Sequence, residues 1–284
     1  MTPAEPSVLV DGLDHAEGVA WDPQAAVVWA GGEAGQLYRV DPVARTVAQV
    51  ATAPSFVLGL AVDGAGRLAV CASDDGSLCV LEDDVVRRVL RAVDGEPLVL
   101  PNFPAFAADG TLWLSASGTW AQDDGRLVRL DPDGSAETFS RAAGSFTNGL
   151  AVSPDGRWLW VVESYRPALS RFDLVAGDGR PELVLRLDGT VPDGLAFTAD
   201  GGLLISCYRP DRILHLDPGG RLEVVADDPQ GTLLSAPTNV CFTGDGLDRV
   251  VSANLGRWHL TLLDLGLRGA PLHRPRRWAA DVSG

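Results

Sequence analysis

No run of about 18 apolar residues occurs anywhere in the 284-residue chain, so no stretch reads as a membrane-spanning helix. Cysteine is sparse: Cys71, Cys79, Cys207 and Cys241 form no C-x-x-C pair and have no histidine at zinc-finger spacing, which excludes a structural zinc site and a dithiol redox motif. They read as buried thiols. Cys71 and Cys79 are expected on adjacent strands where they could face each other, although a cytoplasmic setting disfavours a disulfide. No G-x-S-x-G elbow, phosphate loop or dinucleotide fingerprint is present, which removes the usual scaffolds of nucleophilic-serine and nucleotide chemistry. Positive charge is also short. The 23 Lys plus Arg residues face 38 Asp plus Glu, and the resulting charge of −15 repels phosphate backbones and anionic membranes. Nucleic acid and membrane surfaces are therefore set aside as partners. The opening MTPAEPSVLVDGLDHAEG lacks the basic and apolar regions of a secretory signal, and the expectation is a soluble cytoplasmic protein.

What is present is a hydrophobic content of 46%, enough for a large core, and a repeat. Six segments align: EGVAWDPQ from Glu17, LGLAVDGAG from Leu58, NFPAFAADG from Asn102, NGLAVSPDG from Asn148, DGLAFTADG from Asp193 and TNVCFTGDG from Thr238. Their starts lie 41, 44, 46, 45 and 45 residues apart. Each unit runs from a short apolar strand through an Asp/Gly/Pro turn to a second strand such as RWLWVVES, a third such as RLVRLDP, and a further β-like segment such as PELVLRL. Four strands per unit at this period predict an all-β, six-bladed β-propeller of four antiparallel strands per blade. The whole chain, 1–284, is expected to be one domain. SVLVDG at residues 7 to 12 is left over and is expected to close the last blade as its outer strand, which removes an exposed edge.

In a propeller the first strand of each blade lines the central channel, so equivalent repeat positions form a ring. Those positions are Glu17, Leu58, Asn102, Asn148, Asp193 and Thr238. Asn-Gly and Asp-Gly alone would signal turns. However, Glu17 is a poor turn former, Asn102 precedes Phe103 and not glycine, and the bends are supplied further on by Pro154-Asp155-Gly156 and Ala199-Asp200-Gly201. Asn148 and Asp193 are thus available for other work. Two carboxylates and one or two amide oxygens converging on a channel mouth repel one another unless a cation sits between them. The donor set suits one divalent ion, and Ca²⁺, Mg²⁺, Mn²⁺ and Zn²⁺ are all allowed by donor type.

The segments A-E-G-V-A-W around Glu17, T-N-G-L-A-V-S-P-D-G around Asn148, P-D-G-L-A-F around Asp193 and S-A-N-L-G-R-W-H at 252–259 resemble the regucalcin/gluconolactonase family of six-bladed propellers over essentially the full length. The resemblance implies that Glu17, Asn148 and Asp193 are metal ligands, that Asn102 contacts metal, water or substrate, and that the activity is hydrolysis of a lactone. In such chemistry the ion polarises the carbonyl, and Asp193 is the candidate catalytic base for the attacking water. Family members that bind gluconolactone carry an Arg two residues before the equivalent of Asn102 and a Glu further along that blade. Here those places hold Leu100 and Trp120, which disfavours a polyhydroxylated substrate.

Phe103, Trp120 and Tyr208 are further substrate-contact candidates, set against a plain role in blade packing. Glu163, Asn254 and His259 are expected to be structural, and His15 to support Glu17. The partner is then a small-molecule substrate, and the protein a monomer or weak homo-oligomer. Two other functions stay open: a non-catalytic propeller that binds a small ligand or calcium, and a biosynthetic metal-dependent enzyme with a non-lactone substrate.

Overall fold

The computed structural model describes residues 6–276, 278 and 279. Among them no α-helix is assigned, and none is long and apolar enough to cross a membrane. Six four-stranded antiparallel sheets follow one another as blades 1 to 6. Their inner strands are Val19–Asp22, Val57–Val62, Pro101–Phe106, Thr147–Val152, Val191–Phe197 and Val240–Thr243. Each inner strand touches the next, and that of blade 6 touches that of blade 1, so the chain forms a closed six-bladed β-propeller. Blade 6 draws its outer strand from the other end of the chain. Ser7–Asp11 pairs with His259–Leu263, with Ser7 opposite Leu262 and Asp11 opposite His259.

Six apolar clusters lie between the six pairs of neighbouring blades. A central strand is therefore packed on both faces, which is why Leu68–Ala72 is buried at every position and reads as a continuous apolar run. The same geometry separates two of the thiols. Cys79 pairs with Val70, one position from Cys71, so the two sulfurs lie on opposite faces of blade 2, Cys71 packed towards blade 3 and Cys79 towards blade 1. They do not face each other. All four cysteines are free and buried, and burial pushes their thiols up, away from the reactive thiolate.

The turn after the inner strand of blade 4 is made by Pro154-Asp155-Gly156. Gly156 adopts φ +73° and donates its N–H to the Ser153 carbonyl at 2.8 Å, while the Asp155 carboxylate accepts from the Arg157 N–H at 3.1 Å. Asn148 is within the strand Thr147–Val152, where the register slips between Thr147 and Leu150. Comparable slips occur between Val57 and Leu60, Pro101 and Phe103, and Pro192 and Leu195. Thus the first repeat position of blades 2 to 5 sits in a β-bulge, a device that re-aims a side chain.

The channel is covered where the inner strands end. Arg274 Nη2 donates to Asp22 Oδ1 at 3.0 Å and to the Asp63 carbonyl at 2.8 Å, and the buried Trp278 donates Nε1–H to Asp63 Oδ2 at 2.9 Å. Between this segment and the middle of the channel lies an apolar cavity of about 110 Å³.

Candidate functional site

At the opposite end, where the inner strands begin, lies a second cavity of about 390 Å³. Glu17, Asn102, Asn148, Asp193 and Thr238 line it together, from blades 1, 3, 4, 5 and 6. All five are buried. The sequence-based ring is thus assembled in space.

Three oxygens on this floor have no hydrogen-bond partner: Asn102 Oδ1, Asn148 Oδ1 and Asp193 Oδ1. A fourth, Asn239 Oδ1, is orphaned beside Glu17, whose Oε2 accepts from Asn239 Nδ2 at 3.2 Å. Buried acceptors left bare cost about 1–3 kcal/mol each, so a cluster of them marks a place built for a ligand. The carboxyls show the same frustration. Burial pushes Asp193 up to about 8, with the neighbouring Asn148 amide offsetting part of the effect. Glu17 is held well above the carboxylate range by burial first and the Asp193 charge second. Oxygen-only donors, two of them carboxylates starved of positive charge, fit a hard divalent cation.

The orientation of the two asparagines follows from the hydroxyls behind them. Ser117 Oγ donates to the Thr147 carbonyl at 2.6 Å and Ser164 Oγ donates to the Pro192 carbonyl at 2.6 Å. With its one proton spent, each hydroxyl can only accept, and it accepts from Asn102 Nδ2 at 2.9 Å and Asn148 Nδ2 at 3.1 Å respectively. Both amides are thereby turned so that oxygen faces the cavity. Ser206 makes the same kind of bond to the Thr238 carbonyl, and Thr238 Oγ1 donates to the Glu17 carbonyl at 2.7 Å, which carries the relay from blade 3 round to blade 1.

The glycines after the ring positions have a separate duty. A β-carbon on Gly18, Gly59, Gly149 or Gly194 would collide with the carbonyl of Leu58, Asn102, Asp193 or Thr238, the ring position of the next blade. Gly149 therefore sets how closely the Asn148 and Asp193 strands approach.

A further regularity lies two residues before the ring. His15, Leu100, Phe146 and Ala236 all adopt left-handed backbone, with φ of 39°, 52°, 59° and 49°. They precede Glu17, Asn102, Asn148 and Thr238 by two. Such a conformation costs a residue with a β-carbon about 1–2 kcal/mol, which the flanking bulge and relay must offset.

The remaining sequence-based candidates divide. Trp120 and Tyr208 line the cavity, as does Leu100. Phe103 does not. It packs between blades 3 and 4 with Trp113 and Leu150 and borders the apolar cavity in the channel, because the slip at Pro101/Phe103 turns Asn102 to the mouth and Phe103 away from it. His15 binds Glu33 at 2.7 Å and stacks on Trp258, with no hydrogen bond to Glu17. Glu163 accepts from the Ser145 N–H, Asn254 bonds His259 O and Thr261, and His259 donates to Leu233 O, all of them structural. Asn239 and the serines 117, 164 and 206 were not signalled by the repeat. Asp14, His15 and Glu33 also gather closely enough to hold an ion, but on the surface and apart from the cavity.

The profile of the SMP-30/Gluconolactonase/LRE-like region matches residues 15–253, which take in blades 1 to 5, the inner strand of blade 6 and every residue of the oxygen floor. The chain belongs to this family. A Bacillus subtilis relative provisionally named a sugar lactone lactonase is 26% identical over 215 residues, 73% of each chain. Other curated relatives are matched over less than half of their own length. Among solved structures, a gluconolactonase from Xanthomonas campestris superposes with a TM-score of 0.80 at 22% identity, covering 93% of this chain and 90% of that one. A calcium-binding protein, regucalcin, from Agrobacterium tumefaciens gives 0.75 at 19%, covering 96% and 97%. At these identities the structures establish a shared fold. Family membership places the chain beside relatives named as lactonases and regucalcins.

Proposed function

We propose that this member of the family is a divalent-cation-dependent lactone hydrolase whose centre is the oxygen floor at the channel mouth. The observation that carries this reading is the set of buried, partnerless oxygens of Asn148, Asp193 and Asn102 beside Glu17. Glu17, Asn148 and Asp193 would hold the cation, with Asn102 at its side, and their oxygen chemistry and a calcium-binding structural neighbour both favour Ca²⁺. A bound cation supplies charge that keeps the two carboxyls ionised and polarises the lactone carbonyl.

Asp193 then has the charge state of a base. It takes a proton from water as the water oxygen bonds to the carbonyl carbon, and the ring C–O bond breaks. Asp193 returns the proton to the departing alkoxide, and a hydroxy acid is released. Neutral Asn148 binds without adding repulsion, and its Ser164 anchor keeps Oδ1 aimed. The buried floor excludes bulk water, which strengthens each of these interactions.

The test is hydrolysis of a lactone panel by the purified protein before and after exhaustive chelation, with re-addition of Ca²⁺, Mg²⁺, Mn²⁺ and Zn²⁺. Turnover that is lost on chelation, restored by one ion and absent in Asp193→Asn is expected. Undiminished activity in the chelated protein would refute the reading, and tight cation binding without any turnover would make the protein a binding propeller.

A further inference from the structure

We infer that the substrate of this site is a lactone carrying an apolar, alkyl or aryl, substituent, selected by the ring of residues two positions before the oxygen floor. The inference rests on the lactone-hydrolase reading for its reaction but on independent observations for its specificity.

A polyhydroxylated ring needs a donor or acceptor for each hydroxyl, and a site that offers none leaves those groups stripped of water. The wall above the floor supplies few of them. The chain has no lysine, and no arginine borders the cavity. Three hydroxyls there have already spent their protons on backbone carbonyls: Ser73 on Phe56 O, Ser164 on Pro192 O and Thr238 on Glu17 O. Among the described side chains bordering the cavity, Asp74, the Tyr208 hydroxyl and the indole N–H of Trp120 remain as polar groups above the floor.

The rest of the wall is apolar and built to be so. At the position two before the ring, blades 2 to 5 carry Phe56, Leu100, Phe146 and Val191, all four half-buried and facing the cavity. Leu100 and Phe146 are aimed there by left-handed backbone. Leu100 is held on both sides. Its carbonyl accepts from the Ser117 N–H at 2.9 Å, and the hairpin that leads to it is clamped by buried Arg126, which donates to the carbonyls of Glu96 and Pro97 at 3.1 and 2.9 Å. Trp120, half exposed, stands edge-on to Phe146 at 4.9 Å and extends the apolar surface outwards. A volume of about 390 Å³ falls within the range of about 300–1,000 Å³ usual for small-molecule sites, room enough for a lactone ring and a substituent. The floor thus takes the ester group and the wall takes a side chain that water rejects.

Two readouts test this. In wild-type protein the kcat/KM for a six-membered lactone with a pentyl substituent should exceed that for glucono-δ-lactone by roughly a hundredfold. Leu100→Gln should narrow that ratio by about tenfold or more. Equal or reversed preference, or a ratio that Leu100→Gln leaves unmoved, overturns the inference while leaving hydrolysis intact. Binding separates the two readings. The non-hydrolysable lactams of the same two compounds, titrated against tryptophan fluorescence, should differ by about tenfold or more in favour of the alkyl form. Preferential binding of the polyhydroxy lactam overturns the inference even if nothing is hydrolysed. Tight binding of the alkyl lactam without turnover of either lactone supports the specificity and refutes the hydrolase.

Discussion

Asn148 donates from Nδ2 to the Ser164 hydroxyl at 3.1 Å, and because that hydroxyl gives its own proton to the Pro192 carbonyl, Oδ1 of Asn148 has only one way to point. A single proton therefore decides which end of the amide faces the cavity. Ser164→Ala is expected to weaken Ca²⁺ binding about 10–100-fold, measured by calorimetry, although Ser164 would touch no ion. The accompanying loss of stability should reflect two buried groups left without this partner, the Pro192 carbonyl and the Asn148 Nδ2–H, about 1–3 kcal/mol each. Unchanged affinity in Ser164→Ala would show that the amide needs no orienting.

The frustrated carboxyls give the metal-free protein a definite pH response. Asp193 sits at about 8 in the folded state and near the ordinary 3.8 when unfolded, so over that interval the folded chain binds the extra proton. Its contribution is complete below the unfolded value and is lost as pH rises through the folded one. In chelator, thermal stability should fall between about pH 5 and pH 8, and Asp193→Asn should flatten that slope. Saturating Ca²⁺ should remove most of it, because both carboxyls are then ionised and compensated. A melting temperature in chelator that rises over this range would contradict the assignment.

Two glycines seven residues apart, Gly149 and Gly156, should respond differently to the same change. At Gly149 a β-carbon would strike the Asp193 carbonyl, so Gly149→Ala should cost about 1–3 kcal/mol and weaken cation binding by pushing blades 4 and 5 apart. At Gly156 a β-carbon meets nothing, and only the left-handed backbone resists, about 1–2 kcal/mol, with cation affinity retained. Affinity measurements on both variants decide this, and equal losses would show that Gly149 has no special link to the site.

At the other end of the channel, Trp278→Phe removes the Nε1–H bond to Asp63 while retaining most of the ring packing against Phe106. Asp63 keeps Arg67 at 2.7 Å, so the expected cost is about 0.5–1.5 kcal/mol by denaturant titration, with no change in cation affinity.

The repeat made the architecture and most of the floor legible, because equivalent positions in a ring converge whatever lies between them: Glu17, Asn102, Asn148 and Asp193 line one cavity, with Trp120 and Tyr208 in its wall. Phe103 went the other way for a local reason, the bulge that lets Asn102 and its successor break strand alternation. Asn239 and the orienting serines were invisible for a different one. The serines act across blade boundaries, on carbonyls about 30 residues further on, Asn239 reaches the carboxylate of Glu17 in blade 1, and an isolated serine or asparagine carries no mark of the group it will meet. Left-handed Leu100 and Phe146 were equally hidden, since neither residue type favours that backbone and only the assembled ring imposes it.

The strand Ser7–Asp11 finds its partner some 250 residues along the chain, between His259 and Leu262. A ribosome delivers these two segments some 250 residues apart, so until the second emerges the growing propeller is an arc with two open ends, each offering an unpaired edge or an uncovered blade face to other chains. Closing it removes both liabilities at once. The interval before closure, more than any feature of the finished ring, is when this protein is most exposed to aggregation, and variants that weaken the Ser7–Asp11 pairing should reveal themselves first in the yield of soluble chain.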